Sequence, residues 1–108
     1  MINSRSSINE LQEYVAATEK ERNFADQSAI EKCLLLGEEV GELFKAVRRT
    51  SGLAVDPNSK ATEVGSELAD VLNYILAIAN RYQIDLCAEF VAKERINSGR
   101  NWISNAAQ

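Results

Sequence analysis

Histidine is missing from this 108-residue sequence, and its absence excludes several kinds of site. Ferritin-type di-iron centres need Glu-x-x-His pairs, many zinc sites need histidine ligands, and histidine acid–base catalysis needs the imidazole itself. With one proline and five glycines, the chain also has little of what a turn-rich β fold requires. The composition therefore favours helices, and any metal site must use other ligands.

Cysteine is scarce too, because only Cys33 and Cys87 are present, each within a helical pattern. Their spacing fits neither a metal site nor a disulfide framework. We therefore expect both to be small core residues of a cytoplasmic protein in a reducing cytosol. The apolar run 33–36 ends at Gly-Glu-Glu. The run is therefore too short for a membrane span or a signal peptide.

Positive charge is in deficit, since the net charge is −4. A nucleic-acid polymer is not an expected partner, because its binding depends on neutralising phosphates with Lys and Arg. An acidic protein can still bind a polyphosphate when a metal ion supplies the positive charge. The content of 45% hydrophobic and 26% charged residues is ordinary for a globular protein, and the length suits one domain over residues 1–108.

Apolar residues recur at helical spacing in four stretches, which predicts helices over about 8–22, 29–50, 61–82 and 86–98. Ser7 with Glu10 and Ser28 with Glu31 form capping-box patterns. Asp85 is a favourable N-cap for the last helix. The sequence therefore predicts an all-α, four-helix bundle-type subunit.

Carboxylates cluster on the second and third predicted helices. Glu38, Glu39 and Glu42 lie within about a third of one helix circumference, and Glu67 and Asp70 share a face of the next helix. Like charges at this spacing destabilise a helix by a few tenths of a kcal/mol per pair. If the helices pack antiparallel, these carboxylates converge, and Mg²⁺ is a cation that prefers oxygen ligands. A solvated acidic face is the alternative that spacing leaves open.

The second helix also carries an apolar stripe, formed by Ile30, Cys33, Leu34, Gly37, Val40, Phe44 and Val47. We expect this stripe to be buried. Gly37 and Gly41 are one turn apart beside it, which favours close approach of a partner helix, with ordinary sequence drift as the alternative. The third helix has a broad apolar arc from Val64 to Tyr82, and an arc this wide usually packs on more than one neighbour.

Cations and a tryptophan concentrate near the end of the chain. Lys93 and Arg100 could bind the outlying phosphates of a ligand, and Asn97 between them offers a hydrogen bond. Solvated surface charge is the alternative for these residues.

The motif Glu38-Glu39-x-x-Glu42, followed after 24 residues by Glu67-x-x-Asp70, resembles the signature of the MazG-like all-α nucleoside triphosphate pyrophosphohydrolases. The resemblance covers about residues 28–102. The flanking residues agree with it as well, namely Leu36, Leu43, Val71-Leu72, Tyr82-x-Ile84-Asp85-Leu86 and Lys93-x-x-x-Asn97-x-x-Arg100.

The resemblance implies the all-α NTP pyrophosphatase fold and Mg²⁺-dependent hydrolysis of a nucleoside or deoxynucleoside triphosphate to a monophosphate and pyrophosphate, with Mn²⁺ as a substitute metal. It implies that Glu38 is an additional ligand or a water-activating base. The implied metal ligands are Glu39, Glu42, Glu67 and Asp70, and the implied phosphate and nucleotide contacts are Lys93, Asn97 and Arg100.

The resemblance also implies a homodimer or homotetramer with sites between subunits, which agrees with the wide apolar arcs. Phe24, in the break before the second helix, could stack on a base or could be a staple or interface residue. For Trp102 we favour packing over stacking. Phosphoribosyl-ATP or dUTP hydrolysis is an alternative within the superfamily. A non-catalytic helical interaction module with a solvated or structural acidic cluster is the alternative outside it.

Overall fold

In the computed structural model, residues 1–53, 56–58 and 62–102 are described, and they form four helices and no strand. The helices are α1 (Ile8–Glu21), α2 (Ala29–Thr50), α3 (Val64–Arg81) and α4 (Leu86–Ser98). The all-α prediction is confirmed, and α2 and α4 begin and end where the sequence predicts. The expected start of α3 at residue 61 lies outside the described residues. None of the described helices combines the length and the apolar character needed to cross a membrane.

The predicted caps fix three of the four helix starts. The Ser7 hydroxyl accepts from the backbone N–H of Glu10 at 3.1 Å, and the Glu10 carboxylate accepts from that of Ser7. Ser28 and Glu31 form the same reciprocal pair at the start of α2. The Asp85 carboxylate accepts from the backbone N–H of Ala88 at 3.0 Å. Each cap satisfies backbone donors that the first turn of a helix leaves without a partner.

The main helix contact joins α2 and α3, which run antiparallel. The direction follows from the pairs across the contact, because Lys32 lies against Tyr74 while Glu39 lies against Glu67 and Asp70. α1 packs on α3 around a small core of Val15, Leu76 and Ala77. This arrangement places the carboxylates of the two long helices opposite one another.

Gln12 of α1 ties that helix to the turn between α3 and α4. Its buried side-chain amide donates to Asn80 Oδ1 at 3.1 Å and to the Ile84 carbonyl at 2.9 Å, and it accepts from the backbone N–H of Leu86 at 2.9 Å. Asn80 returns a bond to the Gln12 carbonyl at 2.9 Å. α4 is held mainly through α1 and buries none of its own residues.

Most of the apolar stripe of α2 is exposed in the chain, which corrects the expectation that it is buried; only Val40 is partly covered. Ile30, Leu34 and Phe44 are each about 70% exposed, and Cys33 is exposed as well. The reason is that α2 turns its opposite face, on which Lys32 and Ala46 are buried, toward α3.

The prediction that the two cysteines are core residues is therefore wrong for the chain by itself. Cys33 belongs to the exposed stripe, and Cys87 lies on α4, whose residues all remain accessible. A Cβ added at Gly37 or Gly41 would meet nothing within 4 Å among the described atoms. Close approach of a partner helix at these glycines is therefore not made by another described helix of the same chain.

Candidate metal centre and adjoining cavity

Three carboxylates meet between α2 and α3. Glu39 on α2 and Glu67 and Asp70 on α3 each offer one oxygen, and these oxygens all lie within 4.8 Å of one another. Glu67 and Asp70 share a face because they are three residues apart on a helix, and antiparallel packing brings Glu39 opposite them. Glu67 is buried, Glu39 is half-buried and Asp70 is exposed, so this carboxylate cluster is open to solvent on one side.

The electrostatics of the carboxylate cluster are unfavourable without a cation. Glu67 Oε2 is buried and has no hydrogen-bond partner. The pKa of Glu39 is raised, first by burial and a hydrogen bond to the Glu67 side chain, and then by the charges of Asp70, Glu67 and Glu42. Crowded oxygen atoms of one charge, one of them unpartnered and buried, fit a hard divalent cation as their missing partner.

Tyr74 stands one turn beyond Asp70 on α3. Burial raises the pKa of its phenol, and the negative charges of Glu39, Asp70 and Glu38 add to this effect. The phenol therefore stays protonated at neutral pH and remains a hydrogen-bond donor beside the carboxylate cluster.

Glu42 and Glu38 lie at the margin of the carboxylate cluster. Glu42 contributes to the raised pKa of Glu39, but its own carboxylate pairs with Lys45 Nζ at 3.7 Å and does not join the three converging oxygens. Glu38 is exposed, and its charge acts on Tyr74. The structure thus brings three of the four predicted metal ligands together and leaves the fourth, and the predicted base, close by.

The predicted phosphate contacts lie elsewhere in the chain. Lys93 and Asn97 are on α4 and Arg100 follows it, while α4 packs mainly on α1. Among the described residues, no hydrogen bond or ion pair joins these three to the carboxylate cluster. The Asn97 carbonyl instead accepts from Trp102 Nε1 at 3.0 Å, although the Trp102 ring is exposed.

A cavity of about 260 Å³ opens next to the carboxylate cluster, where α1, α2, α3 and the turn between α1 and α2 meet. Its walls include two aromatic rings, Phe24 and Tyr74, and two side-chain amides, Gln27 and Asn73. Phe24 was singled out from the sequence as a residue that could stack on a base, and its side chain is exposed. Apolar rings with a few polar groups are typical of a pocket that binds a flat, polar ring.

An ion network that the sequence did not predict adjoins this cavity, and two of its members, Glu19 and Lys32, line it. Lys32 Nζ lies 3.3 Å from Glu19 Oε2, 5.3 Å from the centre of the Phe24 ring and 5.4 Å from that of Tyr74. Arg81 donates to both Glu19 oxygens, at 3.0 Å and 2.7 Å. Burial tends to raise the pKa of Glu19, but the hydrogen bonds and charges of Arg81 and Lys32 outweigh it and hold that pKa below its usual value.

The burial of Lys32 could have been predicted from the spacing of residues on α2. Lys32, Glu39 and Ala46 are seven residues apart, so they share one face of α2 and are buried or half-buried together. Glu19 and Arg81 carry no such signal, because their pairing joins residues 62 positions apart.

Carboxylate oxygens that converge between two helices are suited to hold Mg²⁺, the ion that many enzymes use to act on phosphates. Comparison with known protein families matches residues 26–96, about two thirds of the chain, to the MazG nucleotide pyrophosphohydrolase domain. The chain belongs to this family, and the resemblance found in the sequence is confirmed. A search among curated proteins gave no match.

The matched range includes the carboxylate cluster, Lys32, Tyr74 and Lys93, whereas Asn97 and Arg100 follow it.

Proposed function

We propose that this protein is a Mg²⁺-dependent pyrophosphohydrolase that cleaves a nucleoside or deoxynucleoside triphosphate to the monophosphate and pyrophosphate. The observation that carries the proposal is the convergence of Glu39, Glu67 and Asp70 within 4.8 Å, with one Glu67 oxygen buried and unpartnered. Membership in the MazG nucleotide pyrophosphohydrolase family supports the reaction class.

Glu39, Glu67 and Asp70 would hold the metal, with Glu42 as a fourth ligand once it leaves Lys45. A bound Mg²⁺ ion supplies positive charge that neutralises these carboxylates and the phosphate oxygens of the substrate. Mn²⁺, which accepts the same oxygen ligands, is the expected substitute. The unpartnered Glu67 oxygen and the raised pKa of Glu39 are the features of this chain that fit such an ion.

Glu38 is the proposed general base. It is exposed beside the carboxylate cluster, so water can reach it. Its carboxylate takes a proton from an attacking water while the water oxygen bonds to the α-phosphorus. The bond from that phosphorus to the α–β bridging oxygen breaks, and pyrophosphate leaves with the electron pair. The Tyr74 phenol, kept protonated by its surroundings, can donate a hydrogen bond to the substrate next to the reacting group.

The base of the nucleotide would enter the cavity next to the carboxylate cluster. The rings of Phe24 and Tyr74 both line that cavity, and Asn73 and Gln27 supply amide donors and acceptors for the edge of a base. The cavity lies one turn of α3 beyond Asp70, so a base bound there places its triphosphate near the carboxylates.

Lys93, Asn97 and Arg100 are assigned to the outlying phosphates across a subunit boundary. Because α4 packs mainly on α1 and buries none of its residues, we infer that these side chains act on the carboxylate cluster of a second copy. The protein would then be a homodimer or homotetramer, and its place would be the cytoplasm, where nucleotides are pooled. The exposed stripe of α2 provides apolar surface for such an assembly.

The test is pyrophosphate release with Mg²⁺ from a panel of ribo- and deoxynucleoside triphosphates. We expect turnover of some members, and its loss by about 10³-fold or more in Asp70→Asn and Glu42→Gln. Both variants should remain folded, and removal of like-charge repulsion should stabilise Asp70→Asn by a few tenths of a kcal/mol in EDTA. Glu13→Gln removes the charge of an exposed carboxylate on α1; it is the matched control and should keep full activity.

Two results would contradict the proposal. Unchanged turnover in Asp70→Asn would show that the carboxylate cluster is not the site. An absence of both pyrophosphate release and Mg²⁺ binding in the unmodified protein would favour a helical interaction module with a solvated acidic face.

A further inference from the structure

The ion network of Glu19, Lys32 and Arg81 beside the cavity contains buried charges that the proposed chemistry does not explain. Lys32 is 4% exposed and Glu19 is 8% exposed, although both carry charge. A buried ion pair often contributes little to stability compared with well-packed apolar residues of the same size. The network therefore calls for a role beyond holding the helices together.

The network fixes the position of both aromatic walls. Arg81, besides its two bonds to Glu19, donates to the Phe24 carbonyl at 3.1 Å and to the Gln27 carbonyl at 2.7 Å. These bonds hold the turn that carries Phe24 against the end of α3. Lys32 places its ammonium over both rings, at 5.3 Å from Phe24 and 5.4 Å from Tyr74, where it attracts each of them.

Glu19 is the anion that both cations share. Its Oε2 is 3.3 Å from Lys32 and 2.7 Å from Arg81, and its Oε1 accepts a further bond from Arg81. Without this charge, Lys32 and Arg81 would repel each other, and an unpaired buried ammonium would move toward solvent. Lys32 would then leave its position against the two rings, and Phe24, which is on an exposed turn, would lose its fixed orientation.

We propose that Glu19 is a positioning residue for the nucleobase: by pairing with Lys32 and Arg81 it holds Phe24 and Tyr74 in the positions in which they line the cavity. This inference rests on the proposed function. Glu19 and Lys32 do not act on the phosphates, since Lys32 Nζ is engaged by Glu19 and both rings. The carboxylate cluster lies two turns after Lys32 on α2 and one turn before Tyr74 on α3.

The distinguishing prediction is a split between KM and kcat. Lys32→Met keeps an unbranched apolar stem at the cavity wall and leaves the Glu19–Arg81 pair intact, so it should fold. We expect it to raise KM for the preferred nucleotide by about tenfold or more, with kcat changed by no more than about twofold, because uniform substrate binding is lost. Glu19→Gln should do the same if it folds.

Inorganic tripolyphosphate, which has phosphates but no base, serves as the probe that separates the two subsites. Its inhibition constant should be unchanged in Lys32→Met, because the carboxylates and their metal are untouched. The matched controls are Lys20→Met and Glu13→Gln, both exposed on α1, and they should leave KM, kcat and this inhibition constant alone.

An unchanged KM in folded Lys32→Met would overturn the inference. So would a loss of kcat, or a weakening of tripolyphosphate binding, by as large a factor as the rise in KM. If Glu19→Gln unfolds, Lys32→Met decides the outcome. If the unmodified protein is active and Lys32→Met gives one of the contradicting results, only the role of Glu19 is overturned and the proposed function stands. Complete inactivity of the unmodified protein on every nucleotide would overturn both this inference and the proposed function.

Discussion

Glu19 and Glu39 show how the surroundings of a single carboxylate set its behaviour. Both are glutamates on amphipathic helices, yet the pKa of Glu19 is lowered and that of Glu39 is raised. Burial acts in the same direction on both. The difference comes from neighbours, which are two cations at Glu19 and other carboxylates at Glu39.

These opposite shifts give opposite contributions to stability. Glu39 has a raised pKa in the folded state, so its contribution is favourable below 4.5, the pKa of an unperturbed glutamate, and is lost as the pH rises through the folded value. Glu19 has a lowered pKa, so its contribution is present above 4.5 and is lost as the pH falls through the folded value.

We therefore expect Glu19→Gln to be less stable than the unmodified protein by about 3 kcal/mol at neutral pH, because it leaves two cations underpaired in a buried place. The difference should shrink as the pH falls below 4.5, since protonated glutamate and glutamine are then alike. Urea unfolding in EDTA across this range measures it, with Glu13→Gln as the control. A difference that stays constant with pH would contradict this account of Glu19.

At the scale of the element, helix α2 presents two faces, and the residues of each face recur at nearly the same spacing along the helix. Lys32, Glu39 and Ala46 form the inner face toward α3. The outer face consists of Ile30, Leu34, Gly37, Gly41 and Phe44, whose spacings alternate between four and three residues, as in helices that pack along a seam. The sequence predicted burial for the more apolar face, while the single chain buries the face with the charges. Apolar content alone therefore did not indicate which face meets α3.

The substitution Gly41→Ala tests whether another helix packs on the outer face of α2. A Cβ at this position meets nothing within 4 Å in the chain, so Gly41→Ala should gain about 1 kcal/mol of helix propensity in the isolated subunit. If a second copy packs closely there, the added methyl group should weaken association by about tenfold. Sedimentation velocity measures the dissociation constant.

Gly65→Ala on α3, where an added Cβ also meets nothing, is the matched control for Gly41→Ala and should leave association unchanged. Stabilisation without any change in association would show that the outer face is simply solvated at Gly41.

For the whole molecule, the dimensions differ from those of a compact domain. The Cα radius of gyration is 17.2 Å, whereas about 13 Å is expected for a compact chain of this length. Large apolar side chains are exposed on α2, α3 and α4, including Phe44, Leu68 and Phe90. Exposed apolar surface spread over three helices is typical of a subunit whose core is completed by association.

Leu34→Glu tests this expectation directly. Leu34 is 68% exposed in the chain, so the substitution should be tolerated by an isolated subunit. Placed in an apolar interface, the new carboxylate would be buried without a partner, and the oligomer should dissociate. We expect a monomer by light scattering, together with loss of most pyrophosphohydrolase activity, because Lys93, Asn97 and Arg100 are proposed to act on a neighbouring subunit.

Ala17→Glu, an exposed charge added on α1, should leave both the mass and the activity as they were and is the control for Leu34→Glu. A monomeric mass for the unmodified protein at micromolar concentration would contradict the proposed assembly.

The sequence by itself determined the helices and most of the carboxylates that cluster between α2 and α3. Capping boxes and helical spacing are local, so Ser7, Ser28 and Asp85 act as predicted. Spacing on one helix likewise placed Glu67 and Asp70 together, and antiparallel packing of two such helices made the approach of Glu39 foreseeable.

Only the tertiary structure decided which face of α2 is buried and which charges pair. Glu19, Lys32 and Arg81 come from three different helices, and no local pattern relates them. The exposure of Cys33 and Leu34 has the same origin, because burial depends on which helix lies opposite. Pairing between distant residues is set by packing of the whole chain, and a periodic sequence states only that a face exists, not what covers it.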